Sequence, residues 1–211
     1  MRAASEAEVA QALADVDVWV PDLHPDDRYV PVADLLDSGL AGRVTRRLRG
    51  APDRVGVSAV SMGIPSRLWS LTVVPAVRHG VVVDPATLCA RDDDGSVLLG
   101  VRGLRGHAEV TADDVHAVVM AVLEPLVAAL PLSPRLHWGN VAASLGAVPR
   151  VHGLRADEPL VADLLSRAPL AGLLDGARRR TCCLFYLAPG AGLCGDCSLD
   201  HVPTATREKS V

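Results

Sequence analysis

Four of the five cysteines in this chain of 211 residues lie between Cys182 and Cys197. Their order is a vicinal pair, Cys182-Cys183, then ten residues, then Cys194-x2-Cys197. Pro189, Gly190 and Gly192 occupy the intervening loop, so the chain can fold back and bring four thiols to one point. Four converging thiols point to a metal. The start of the chain, Met1 to Val9, has acidic residues where a signal peptide would carry its apolar run, so the expected compartment is the cytoplasm. In that reducing setting clustered cysteines act as metal ligands or redox groups more often than as structural disulfides.

The spacing also bears on which metal. Structural zinc sites usually present two Cys-x2-Cys knuckles, and here only Cys194 and Cys197 form one. Adjacent residues of an extended strand point to opposite sides, so Cys182 and Cys183 reach a single small ion with difficulty. A 2Fe-2S cluster is larger and offers two metal atoms, which suits a vicinal pair if the backbone bends there. Spacing therefore favours 2Fe-2S, with a zinc site and a redox or vicinal disulfide left as alternatives.

The body that carries this module is expected to be mainly α with a small β-hairpin, an α+β chain with a helical body. Apolar residues make up 49% of the chain but aromatics only 3%, so the core must be built from Ala, Val and Leu, which suits close helix packing. The net charge of −4 leaves no basic excess to neutralise phosphates, which argues against nucleic acid as a partner. No stretch approaches the roughly 20 uninterrupted apolar residues that span a bilayer.

Along the chain, Ser5 to Ala14 reads as a short polar helix. Apolar residues from Val32 to Leu48 keep one helical face, interrupted at Asp37-Ser38-Gly39. Arg43, Arg46, Arg47 and Arg49 fill the opposite face, as a solvated surface or as a docking patch for an acidic partner. Arg54 to Met62 and Ser66 to His79 are expected to form a helix pair about Gly63-Ile64-Pro65, with Pro75 kinking the second member. Val81 to Val83 and Ser96 to Val101 are the strand candidates, and Asp92-Asp93-Asp94-Gly95 between them has hairpin turn chemistry. Thr111 and Asp114 form a capping box before a strongly apolar helix. Ser133-Pro134 caps and starts another helix, whose inward residues would be Trp138, Val141, Leu145 and Val148. A last helix opens at Asp157-Glu158-Pro159. Cys89 reads as a buried apolar residue near the hairpin, and His201 as a solvated tail histidine. The expected division is 1–50, an N-terminal helical region; 51–177, the helical body with hairpin; 178–200, the cysteine module; and 201–211, a flexible tail.

The run Arg178-Arg179-Arg180-Thr181-Cys182-Cys183-Leu184-Phe185-Tyr186, followed by Pro189 to Cys197, resembles the C-terminal signature of the FhuF family of siderophore-iron reductases. Leu136-His137-Trp138-Gly139-Asn140 resembles that family's Trp-Gly-Asn helix, and Ser66 to Ser70 its helix before the hairpin. The resemblance spans about residues 55–197 and is most specific at the end. It implies that Cys182, Cys183, Cys194 and Cys197 hold a 2Fe-2S cluster and that the chain is an oxidoreductase passing one electron to a ferric siderophore in the cytoplasm. Each tenfold of equilibrium in such a one-electron step corresponds to about 59 mV. No Gly-x-Gly-x-x-Gly fingerprint is present, so the electron is expected from a separate donor of the ferredoxin or flavin reductase type. Arg178 to Arg180 would favour the reduced cluster, attract an anionic chelate or acidic donor, or merely end a helix against its dipole. Gly190, Gly192 and Gly195 would let backbone N–H groups reach the sulfurs, or simply make turns. Arg67, Trp138, Asn140, Arg179 and Arg180 are the candidate substrate contacts. Two alternatives remain: a FhuF-like electron donor or reductase acting on a small organic substrate in a biosynthetic pathway, and a zinc-stapled interaction protein without redox activity.

Overall fold

A computed structural model describes residues 1–203. About half of the described residues are helical, in seven α-helices: α1 (Glu6–Ala14), α2 (Val32–Asp37), α3 (Leu40–Arg47), α4 (Asp53–His79), α5 (Ala112–Ala129), α6 (Pro134–Val151) and α7 (Pro159–Ser166). Eight short strands accompany them: β1 (Arg2–Ala3), β2 (Val30–Pro31), β3 (Val81–Val83), β4 (Leu88–Asp93), β5 (Ser96–Val101), β6 (Gly106–Ala108), β7 (Leu174–Asp175) and β8 (Arg178–Arg179). They make two three-stranded antiparallel sheets, ordered β1-β6-β3 and β2-β4-β5, and a two-stranded ribbon, β7-β8. Among the described residues no helix is long and apolar enough to cross a membrane.

The long helix α4 is the axis of the fold, packed by α1, α3, α5, α6 and β3. The sequence predicts two helices here, and the structure has one of 27 residues. Pro65 and Pro75 each remove a backbone donor, but much of this helix is buried, and tertiary packing outweighs the local penalty. Side chains recruit its carbonyls: Ser66 Oγ donates to Met62 O at 2.8 Å, Ser70 Oγ to Ser66 O at 3.0 Å and Thr72 Oγ1 to Leu68 O at 2.9 Å. Trp69 lies at the centre with no solvent exposure, its Nε1 donating to Val141 O of α6 at 3.2 Å. Gly56 lets α3 approach α4, because a Cβ there would collide with Thr45 Oγ1 and crowd Ala41 O.

The capping box expected at Thr111 forms, with Asp114 reaching back to the cap, and Ser5 and Glu8 make a second one at α1. α1 is less polar than expected, since Val9, Ala12 and Leu13 are buried. Ser133 makes no side-chain cap, and α6 starts on Pro134 alone. The hairpin turn at Asp94-Gly95 joins β4 to β5, a pairing in which the predicted partner of β5 is replaced by Leu88–Asp93. β3 instead pairs with β6. Short polar runs such as Ala90-Arg91-Asp92 lack the alternation that marks a strand, which is why β4 escapes a sequence reading. Asp92 accepts from Arg43 and from Gly95 N, and Arg47 donates to Asp94 O at 3.1 Å. The acidic turn is therefore held by the arginines of α3. Cys89 is buried in β4, and burial raises its thiol pKa. Within the expected tail, His201 is exposed, while residues 204–211 lie outside the described residues.

Candidate metal centre

The chain reaches the cysteines through the β7-β8 ribbon. Arg178, Arg179 and Arg180 do not end a helix; Arg178 and Arg179 form β8, and Thr181 follows at the start of an irregular segment. Leu184 takes a left-handed backbone conformation with φ 65°, and a 3-10 turn over Phe185–Leu187 follows. The chain thus bends immediately after the vicinal pair. Gly190, φ 74°, turns the chain back, and Cys197 N donates to Cys194 O at 3.1 Å, which closes the Cys194–Cys197 knuckle as a tight turn.

All four thiols are free, and Cys183 and Cys197 are buried. Cys183 and Cys194 Sγ stand 3.0 Å apart. Cys182 lies near enough to Cys183 and Cys197 for both to bear on its ionisation. Burial, with the hydrogen bond to Cys183 second, pushes the Cys194 pKa up to about 12, and burial raises Cys182 as well. A metal cation beside Cys182 and Cys194 would favour their thiolates against this burial. Backbone donors already face two sulfurs: Leu184 N points to Cys182 Sγ at 3.3 Å and Leu199 N to Cys197 Sγ at 3.4 Å. Leucines, and none of the three loop glycines, make these N–H contacts.

Among the described residues no three His, Cys, Asp or Glu side chains converge as ligands of a single metal ion. The four cysteines of this segment, with Cys183 and Cys194 in contact, supply the donor number that a two-iron cluster requires.

Two chains of hydrogen bonds tie this module to the central helices. Arg179, only 3% exposed, donates from Nε and Nη2 to Asp196 Oδ2 at 2.9 and 2.6 Å, and from Nη1 to Asn140 Oδ1 at 2.8 Å. Its backbone N also donates to Asp196 O at 2.9 Å. Asn140 Nδ2 donates to Ser58 Oγ at 3.0 Å and Ser61 Oγ at 2.8 Å, and Ser58 Oγ donates to Cys183 O at 2.7 Å. One asparagine of α6 thereby connects the knuckle, the vicinal pair and α4. Beside it, a Cβ on Gly139 would collide with Thr181 Oγ1, so glycine is what lets the strand before Cys182 lie against α6. On the other side Leu184, Leu187 and Ala188 pack on Leu48, Ala51 and Val55 in a small second core.

The substrate candidates separate under this geometry. Asn140, expected at a substrate surface, is completely buried with its polar atoms engaged. Trp138 is half-buried against the main core. Arg67 donates to Gly63 O at 2.8 Å and lies over the Trp19 ring, 5.6 Å from its centroid. Arg178 binds Cys197 O at 2.9 Å and Asp200, and Arg180 is exposed, 3.6 Å from Asp175. Each of the three consecutive arginines thus has a carboxylate partner, and the expected free basic approach is largely neutralised. Sequence reasoning passed over Asp196, Ser58, Ser61, Gly139 and Thr181. Asp196 and Gly139 carried a signal, one between two cysteines and the other beside Asn140, whereas the serines are visible only once α4 is placed.

Residues 179–199 match the family model of the FhuF 2Fe-2S C-terminal domain. No curated protein matches this chain.

Proposed function

We propose, from the premise that residues 179–199 are a FhuF-type 2Fe-2S C-terminal domain, that the chain is a cytoplasmic reductase delivering single electrons to chelated Fe(III). The observation that carries the reading is the contact between Cys183 and Cys194 in the four-cysteine segment, which Arg179 and Asn140 bind to the core. A 2Fe-2S cluster bound to these thiols would supply one electron at a time. Hydroxamate, catecholate and carboxylate oxygens hold Fe(III) far more tightly than Fe(II), so one added electron loosens a ferric siderophore and frees its iron.

The protein's own part is placement. Leu184 N and Leu199 N donate to sulfur and so favour added negative charge at the site. Arg179, paired with Asp196, fixes the knuckle against α6 without presenting a free charge. Residues 51–177 act as the body that positions the module at 178–200, with residues 1–50 adding α1 to α3. The electron enters from a separate ferredoxin or flavin reductase, and Fe(II) leaves in the cytoplasm.

The test uses photoreduced holo-protein mixed anaerobically with ferric hydroxamate or catecholate chelates and an Fe(II) trap. Reoxidation of the protein with formation of about one trapped Fe(II) per electron stored supports the reading. Absence of reoxidation by every chelate overturns it in favour of a small organic acceptor, and a colourless protein holding one zinc would replace both with a non-redox role.

A further inference from the structure

A cleft of about 800 Å³ opens between α6, α7 and the cysteine module. Its walls include Ala147 of α6, Ala162 of α7, and Gly195 and Asp196 of the knuckle. Those last two residues lie between Cys194 and Cys197, and neighbouring Cα atoms are about 3.8 Å apart. Whatever fills the cleft therefore rests against the backbone that carries two of the thiols. Gly195 is exposed, and nothing stands within 4 Å of where its Cβ would be, so the approach on this side is open. Elsewhere the module is covered, because Leu184, Leu187 and Ala188 are packed on Leu48, Ala51 and Val55.

Size and lining agree with a small-molecule seat. Binding clefts for compact ligands run from about 300 to 1,000 Å³, with apolar walls and a few polar groups that fix orientation. Here alanines and glycine form much of the accessible wall, and Arg150 and Glu158 supply one charge of each sign. Neither is in a salt bridge among the described residues, in contrast to Arg179 and Asp196, which neutralise one another.

We infer that this cleft, entered on the Gly195 side of the knuckle, is the seat of the electron acceptor, a hexadentate Fe(III) chelate of hard oxygen donors. The inference rests on the reductase reading for its ligand class, while the location rests on the cavity. The step balances simply: one electron leaves the reduced protein, Fe(III) in the cleft becomes Fe(II), and no bond to the protein forms or breaks.

Gallium(III) complexes have the shape of the ferric ones and are not reduced, so they separate binding from electron transfer. Calorimetric titration of oxidised holo-protein with the Ga(III) complexes of a tris-hydroxamate and of a tris-catecholate is expected to show binding of at least one. In Ala147→Trp and in Ala162→Trp, where an indole fills the cleft, that binding weakens by about tenfold or more with the cluster absorption unchanged. Arg150→Glu, a milder change on the rim, should alter affinity without altering the spectrum. Unchanged affinity in both tryptophan variants, or no binding to the parent protein, overturns the seat. Binding that the tryptophans abolish, in a protein whose reduced form none of the corresponding ferric chelates reoxidises, keeps the seat and overturns the reductase reading.

Discussion

Arg179 joins three parts of the chain through one guanidinium, and its removal separates them. Arg179→Met leaves Asp196 and Asn140 Oδ1 without their donor. Breaking a buried pair by deleting one partner costs about 3–5 kcal/mol, and partial exposure of Asp196 reduces this to about 2–4 kcal/mol. The expected result is a lower denaturation midpoint together with lower iron content; full iron content at unchanged midpoint would show the pairing to be incidental. His137 makes a second residue-scale case. It is completely buried, one ring nitrogen facing Leu130 O at 3.3 Å and the other without a partner, and burial lowers its pKa from the usual 6.5. The unfolded chain then takes up a proton before the folded one does, so stability falls as pH drops below about 6.5, with a slope of at most about 1.4 kcal/mol per pH unit, until the folded-state pKa is reached. His137→Gln retains a donor and loses the titration, so its denaturation midpoint should fall less between pH 7.5 and 5.5 than that of the parent. Equal falls would contradict the assignment; any acid sensitivity of the metal site is common to both proteins.

At the scale of elements, the contact of α6 with the strand leading into Cys182 decides whether the module seats. Gly139→Ala forces Thr181 away from α6, since a Cβ would occupy the place of Thr181 Oγ1. The variant should purify with reduced iron, and Thr181→Ala in the same chain should recover part of it, because the hydroxyl and methyl are removed while the Cβ remains. No recovery would mean that Gly139 serves α6 alone. The same contact shows what sequence could and could not reveal. The helix start at Ala112 is legible because Thr111 caps it with local hydrogen bonds. The continuity of α4 through Pro65 is not, because neighbouring elements cover most of the helix. The hairpin turn is legible from Asp94-Gly95, its partner strand is not, and β3 pairs with β6 instead. In the site, the cysteines announced themselves by spacing. Asn140 reads as a substrate contact and is buried: an amide beside a tryptophan in a helix reads the same whether it faces a ligand or, as here, ties Ser58, Ser61 and Arg179 together.

For the whole molecule, the cysteine module is carried at the end of the β7-β8 ribbon and clamped between α6 and the start of α4, with the cleft on its open side. The proposed function depends on the four thiols holding a two-iron cluster. The most direct measurement is iron and acid-labile sulfide per chain, with the visible spectrum, in the parent protein, Cys194→Ser and Cys89→Ser. The account predicts about two irons and two sulfides in a reddish-brown parent, loss of the cluster in Cys194→Ser, and an unchanged spectrum in Cys89→Ser. A colourless parent containing one zinc, or loss of colour on replacing Cys89, would contradict it.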